Sequence, residues 1–124
     1  MNRHQLREKF MISIYQSRLL KKDLKETAAD NFDNVNEIED YGKRILSALE
    51  AGTERYIEYI NAVLDDWTFE RLGYLEQSIL LLACAEFDCK ELSAQVIMDE
   101  AINLTKNYCD DNTYKLINGV LDRL

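Results

Sequence analysis

The chain has 124 residues, no proline and four glycines, with 47% apolar and 31% charged side chains and a net charge of −8. That composition suits one soluble globular domain of helices joined by polar turns, and it excludes a disordered or collagen-like chain. No apolar run approaches the ~18 residues of a membrane span and the N-terminus lacks a signal-peptide core, so a cytoplasmic protein is expected.

The charge is unevenly placed. Residues 1–25 carry seven basic and two acidic side chains, while the remaining 99 residues carry eight and 21. A basic N-terminal segment on an acidic body suggests two faces for two partners.

Residues 3–20 follow a helical period, with Leu6, Phe10 and Ile14 on one side and Ser17 continuing it. A neighbouring stripe holds His4, Arg7, Met11, Tyr15 and Arg18, mixing cations with an aromatic. Arg and Lys contact phosphates, and Arg and Tyr can stack on unpaired bases, so this stripe is the best candidate for nucleic-acid binding. Residues 22–32 predict a short second helix. Asn36 is the expected N-cap of a long helix through Ile38, Tyr41, Ile45 and Leu49. It breaks or kinks at Gly52-Thr53 and resumes through Tyr56, Ile57, Ile60 and Val63.

"TFERLGYLEQSILLLACAEFDC" is apolar almost all round from Ile79 to Ala85, which predicts a helix buried in the middle of the domain. Ser93 caps the next helix, whose stripe is Ile97, Ala101, Leu104 and Tyr108. "CDDN" caps the last one, which contains the turn-prone pair Asn118-Gly119. Leu116, Ile117, Val120 and Leu121 keep helical spacing around that pair, so Gly119 is expected to mark a close approach by a neighbouring helix. The chain predicts six or seven helices, no strand, and an all-α fold.

Enzyme chemistry is not expected. The glycines are scattered, the one histidine sits at the terminus, and the apparent calcium-loop pattern in "DDNTYKLINGVLD" has Tyr114 and Lys115 where Asp/Asn and Gly are required. Cys84, Cys89 and Cys109 form no CxxC pair and read as buried small hydrophobes. No cofactor or metal is expected.

Three segments, in order and spanning both ends and the middle, resemble the NusB family of transcription antitermination factors. "SAQVIMDEAINLTKNYCDDNTYKLINGVLDRL" is similar to the family's C-terminal signature, which reads approximately V-x-I-N-E-A-[VI]-x-L-[AT]-K, an acidic loop, then [FY]-[VI]-N-G-V-L-[DN]. "RHQLREKFMISIYQ" is similar to its opening R-x-x-A-R-E-x-A-x-Q-x-[LI]-[YF]-Q, and "RLGYLEQSILLLACAEF" to its central helix. The resemblance implies about seven helices in two packed subdomains, at about residues 1–65 and 66–124. It implies binding of the boxA RNA of ribosomal RNA leader transcripts together with NusE, a small-subunit ribosomal protein. The pair would join RNA polymerase with other Nus factors and suppress premature termination.

Matched position by position, the resemblance implies RNA contacts at Arg3, His4, Arg7, Tyr15, Lys115 and Leu116, and NusE contacts at Tyr15, Glu76 and Asn112. The chain departs from the pattern at His4 and Gln5, where arginines are common, at Leu116, where an aromatic is usual, and at Ser93 and Asp99. The thinned basic patch leads to an expectation of weak RNA binding alone and strong binding with NusE. Two other readings are a protein-interaction scaffold on the same fold, and the NusB-like domain of ribosomal RNA cytosine methyltransferases. The latter expects a long catalytic extension, which these 124 residues do not contain.

Overall fold

The computed structural model describes residues 1–32 and 40–124. Among them are six α-helices: α1 (Arg3–Leu20), α2 (Leu24–Asn31), α3 (Asp40–Val63), α4 (Tyr74–Cys89), α5 (Ala94–Tyr108) and α6 (Asp111–Arg123). A single 3-10 turn, Phe69–Arg71, stands before α4, and no strand is present among the described residues. The expected cap Asn36 and the stripe residue Ile38 lie outside them.

Local chemistry accounts for the helix ends. Asn2 and Gln5 form a reciprocal capping box on α1, with Asn2 Oδ1 accepting from the Gln5 N–H at 2.8 Å and Gln5 Oε1 from the Asn2 N–H at 3.0 Å. Ser93 Oγ and Asp110 Oδ1 accept from the backbone N–H groups of Val96 and Thr113 and open α5 and α6. α1 and α4 both stop at a left-handed lysine, Lys21 and Lys90.

α4 is the hub, packed against α1, α3, α5 and α6. Ile79 to Ala85 are buried, as the all-round apolar pattern predicts, and burial extends beyond that run to the polar Gln77, Ser78 and Glu86. Ile79, Leu80, Leu81 and Leu82 are each at most 1% exposed. Each such side chain contributes ~1.5–3 kcal/mol relative to remaining in water. The α1 stripe Leu6, Phe10 and Ile14 is buried as expected. Met11 and Arg7 of the neighbouring stripe are buried too, because α2 and α4 grip α1 from two sides. That stripe is therefore not one continuous solvent face.

Two glycines differ from expectation. α3 runs unbroken through Gly52, and the ring of Tyr56, one turn along, lies over that position. A Cβ there would come within 2.8 Å of Tyr56 Cζ. Gly119 does not mark a close helix approach, since a Cβ on it would meet only Arg123 Nη2, a flexible neighbour on its own helix, at 3.7 Å. The cysteines are free, with Cys84 buried and Cys89 and Cys109 half-buried. Burial, helped by the Asp88 charge, pushes the Cys84 thiol up to about 12.

Candidate nucleic-acid and partner interface

The first two turns of α1 present the leading candidates in different ways. Arg3 is exposed, and its guanidinium lies 3.7 Å above the ring centroid of Tyr41 at the start of α3. His4 is half-exposed, with Nε2 3.1 Å from Glu8 Oε1. Glu8 also accepts a hydrogen bond from the hydroxyl of Tyr108, at the end of α5. That bond, more than the partial burial of the tyrosine, raises the Tyr108 hydroxyl above its ordinary pKa.

Arg7 sits otherwise. It is 4% exposed, its Nε donates to Glu86 Oε1 at 2.9 Å, and its Nη1 lies 3.7 Å from Glu100 Oε2. Glu86, itself 2% exposed on α4, also accepts from the Tyr41 hydroxyl at 2.6 Å. Burial, then the Glu86 hydrogen bond and charge, pushes the Tyr41 hydroxyl well above its ordinary range, so it remains a donor. The Arg7 guanidinium therefore lies inside, against Glu86 and Glu100, and not on the open surface that its place in the N-terminal stripe suggests. Glu86 lies at the end of the buried apolar run of α4 and draws the guanidinium inward, since an unpaired carboxylate there would be far more costly.

The other end of α1 gathers the partner candidates. Tyr15 is half-buried and meets Tyr74 edge-to-face, with ring centroids 6.5 Å apart. Tyr74 is 41% exposed and opens α4. Two residues on, Glu76 turns back to accept from the Gly73 N–H at 2.6 Å and from Thr113 Oγ1 at 3.3 Å. Thr113 adjoins Asn112, which is exposed in the first turn of α6. Tyr15 thus meets the first turn of α4 through Tyr74, and Glu76 in that same turn meets the first turn of α6 through Thr113.

Lys115 is exposed on α6, next to Tyr114, whose ring lies 5.6 Å from Lys106 Nζ at the end of α5. The His4–Glu8–Tyr108 chain and the Lys106–Tyr114 contact join the start of α1 to the α5–α6 corner. Leu116 is half-buried and packs against the core, so it offers less surface than its place in the pattern implies.

Two further cations of the N-terminal segment, Arg18 and Lys25, are tethered. Arg18 Nε donates to Gln77 Oε1 at 2.6 Å and its Nη2 meets Glu70 at 3.3 Å, while Lys25 Nζ lies 3.5 Å from Glu50. Gln77 in turn donates to the carbonyls of Phe69 and Leu72 at 3.1 and 3.0 Å, fastening the 3-10 turn to α4.

Tyr108, which helical spacing puts on a core stripe, and Tyr74, which no motif singles out, are both outer residues. Tyr108 is 38% exposed. Its distance along α5 from the last fully buried residues Leu104 and Thr105, next to the polar "CDDN", is the signal that marks it as an outer residue. No metal-holding cluster occurs among the described residues, and no described helix is long and apolar enough to cross a membrane.

Comparison with known proteins places this arrangement. The NusB family model matches residues 4–124. A transcription antitermination protein NusB of Clostridium botulinum (strain Hall) is 33% identical over 143 aligned positions that cover 100% of this chain and 99% of that protein. A longer relative of the same description from Crocosphaera subtropica is 37% identical over 87 positions, covering 70% of this chain and 42% of its own length. Among solved structures, T. maritima NusB superposes with a TM-score of 0.90 at 26% identity, covering 99% of this chain and 89% of that one. The NusB fold also recurs in a complex of antitermination factors NusB and NusE with double-stranded RNA, with TM-score 0.85, 24% identity, and 97% and 92% coverage. With the family pattern running from the first turn of α1 to the last residue, and a third of the positions shared end to end with a full-length relative, this chain belongs to the NusB family.

Proposed function

We propose that this protein is a transcription antitermination factor that binds the boxA RNA of ribosomal RNA leader transcripts together with NusE. The observation that carries this reading is the end-to-end 33% identity with a protein described as an antitermination factor. In this role it joins RNA polymerase with other Nus factors in the cytoplasm and acts by binding, without catalysis or cofactor. Arg3, His4 and Lys115 meet RNA, with Leu116 at the margin of that surface. Tyr15, Glu76 and Asn112 meet NusE. Arg7 acts from inside, by holding α1 on α4.

The net charge of −8 opposes an RNA strand at long range, so NusE is required to supply compensating charge. We also propose that the chain folds as two helical subdomains divided near residue 65. The bend between α3 and the 3-10 turn, where Asp66 adopts a left-handed φ of 56°, supports that division.

The test is a titration of labelled boxA RNA with this protein, with and without its cognate NusE, at several salt concentrations. Affinity is expected to rise with NusE and to fall steeply with salt as phosphate contacts release counterions. A scaffold that keeps NusE and lacks RNA binding is the second reading, favoured by the internal pairing of Arg7 and Arg18. NusE binding with no NusE-dependent, salt-sensitive RNA affinity would select it.

A further inference from the structure

Arg3 and the core are joined by one aromatic ring. The Arg3 guanidinium lies 3.7 Å above the Tyr41 ring, and Tyr41 itself is 2% exposed. At its far end the Tyr41 hydroxyl donates to Glu86 at 2.6 Å, and Glu86 is held by Arg7 at 2.9 Å. Both Glu86 and Arg7 are buried. The ring is thus pinned at the hydroxyl by a carboxylate that cannot swing away, while one face supports Arg3.

A surface arginine in the first turn of a helix would otherwise sample many rotamers and lose that freedom on binding. Stacking selects one arrangement beforehand, and it leaves the N–H groups around the guanidinium rim free to donate to a phosphate or a base edge. An aliphatic residue would fill the space below Arg3 without attracting its charge. An aromatic face does attract it.

We propose that Tyr41 is the positioning residue for Arg3, a platform that holds its guanidinium ready for RNA, and that the Arg7–Glu86 pair serves the interface by locking this platform. The proposal rests on the reading of Arg3 as an RNA contact. It gives Tyr41, a residue of the core stripe, a part in recognition.

The test uses the full chain with cognate NusE and boxA RNA, and measures affinity against salt. Arg3→Ala is expected to lose roughly tenfold in affinity and to flatten the slope of log K against log salt by about one. Tyr41→Leu is expected to reproduce both changes, and the double variant to lose no more than either single one. Tyr41→Phe keeps the ring and is expected to retain affinity and slope, although removal of the hydroxyl lowers its urea midpoint. Additive losses, or an equal loss in Tyr41→Phe and Tyr41→Leu, would overturn the platform.

Should Tyr41→Leu fail to fold, proton NMR of the wild type decides. The Arg3 δ-protons are expected upfield under the ring and displaced on RNA addition, and absence of either effect refutes the proposal. A wild type that binds no RNA with NusE would instead sink the functional reading itself, and this inference with it. A binding wild type whose Tyr41 variants are unchanged would sink only the platform.

Discussion

The first and second turns of α1 carry the same side chain to opposite environments. Arg3 is exposed and stacked on Tyr41, while Arg7, one turn along, is 4% exposed and locked to Glu86. Both belong to the basic N-terminal segment, and helical spacing puts them near one another. What separates them is the buried Glu86 carboxylate on α4, with Glu100 of α5 beside it, which turns one cation into a structural pin and leaves the other at the surface. The glycines of α3 and α6 repeat the contrast, since Gly52 lies under the Tyr56 ring and Gly119 faces only Arg123. In each pair the residue type is constant and the neighbour decides its role.

The contrast predicts a wide spread of stabilities, with the largest effect at Arg7. Arg7→Ala strands the Glu86 carboxylate in the core with one remaining partner, and should cost about 3–5 kcal/mol in urea unfolding followed by circular dichroism. A domain of this size has only about 5–15 kcal/mol in total, so the variant should be barely folded at 37 °C. A cost below ~1 kcal/mol would mean that Arg7 is not the pin described.

Gly52→Ala is next. Helix propensity alone favours alanine by about 1 kcal/mol, but the Cβ would press on Tyr56, which is 1% exposed and hydrogen-bonded through its hydroxyl to Asp88 at 2.5 Å. Overpacking of this kind costs about 1–3 kcal/mol, so a net loss of ~1 kcal/mol is expected in the same urea titration. Pairing the substitution with Tyr56→Leu should remove the clash, and failure of that rescue would break the explanation.

Arg3→Ala should move stability by no more than about 0.5 kcal/mol, as surface substitutions do, while lowering RNA affinity with NusE roughly tenfold. A stability loss comparable to that of Arg7→Ala would erase the difference between the two turns. The smallest change is expected at Gly119→Ala, a gain of about 0.5–1 kcal/mol read as a raised urea midpoint, because open space and a better helix former replace a flexible residue. A loss there would restore the close-approach reading that the geometry does not support.

Much of the fold was legible from periodicity and capping. α1, α5 and α6 begin at their polar caps, and α4 is buried as its apolar run requires, because these signals are local and act within one or two turns. The supposed break at Gly52 misread a local propensity: α3 runs on, and the missing side chain makes room for the Tyr56 ring one turn along the same helix. The exposure of the candidate residues was legible in part, with Arg3, His4, Asn112 and Lys115 exposed. The family pattern groups Tyr15, Glu76 and Asn112 in expectation; Tyr15 meets Tyr74 at the start of α4, and Glu76 meets Thr113 beside Asn112. The role of Arg7 was hidden, since the partner that removes its charge from solvent lies 79 positions away.

By itself the amino-acid sequence determined the all-α class, the starts of the last two helices, the buried central helix and the family, because all of these depend on local spacing and on which residue types recur at which interval. The tertiary structure alone decided which cations remain at the surface and which are consumed inside. That outcome depends on long-range pairing, with Arg7 drawn to Glu86, Arg18 to Gln77 and Glu70, and Arg3 resting on Tyr41. A charge is worth little to RNA once a buried carboxylate has claimed it, and no periodicity along one helix records the carboxylate of another.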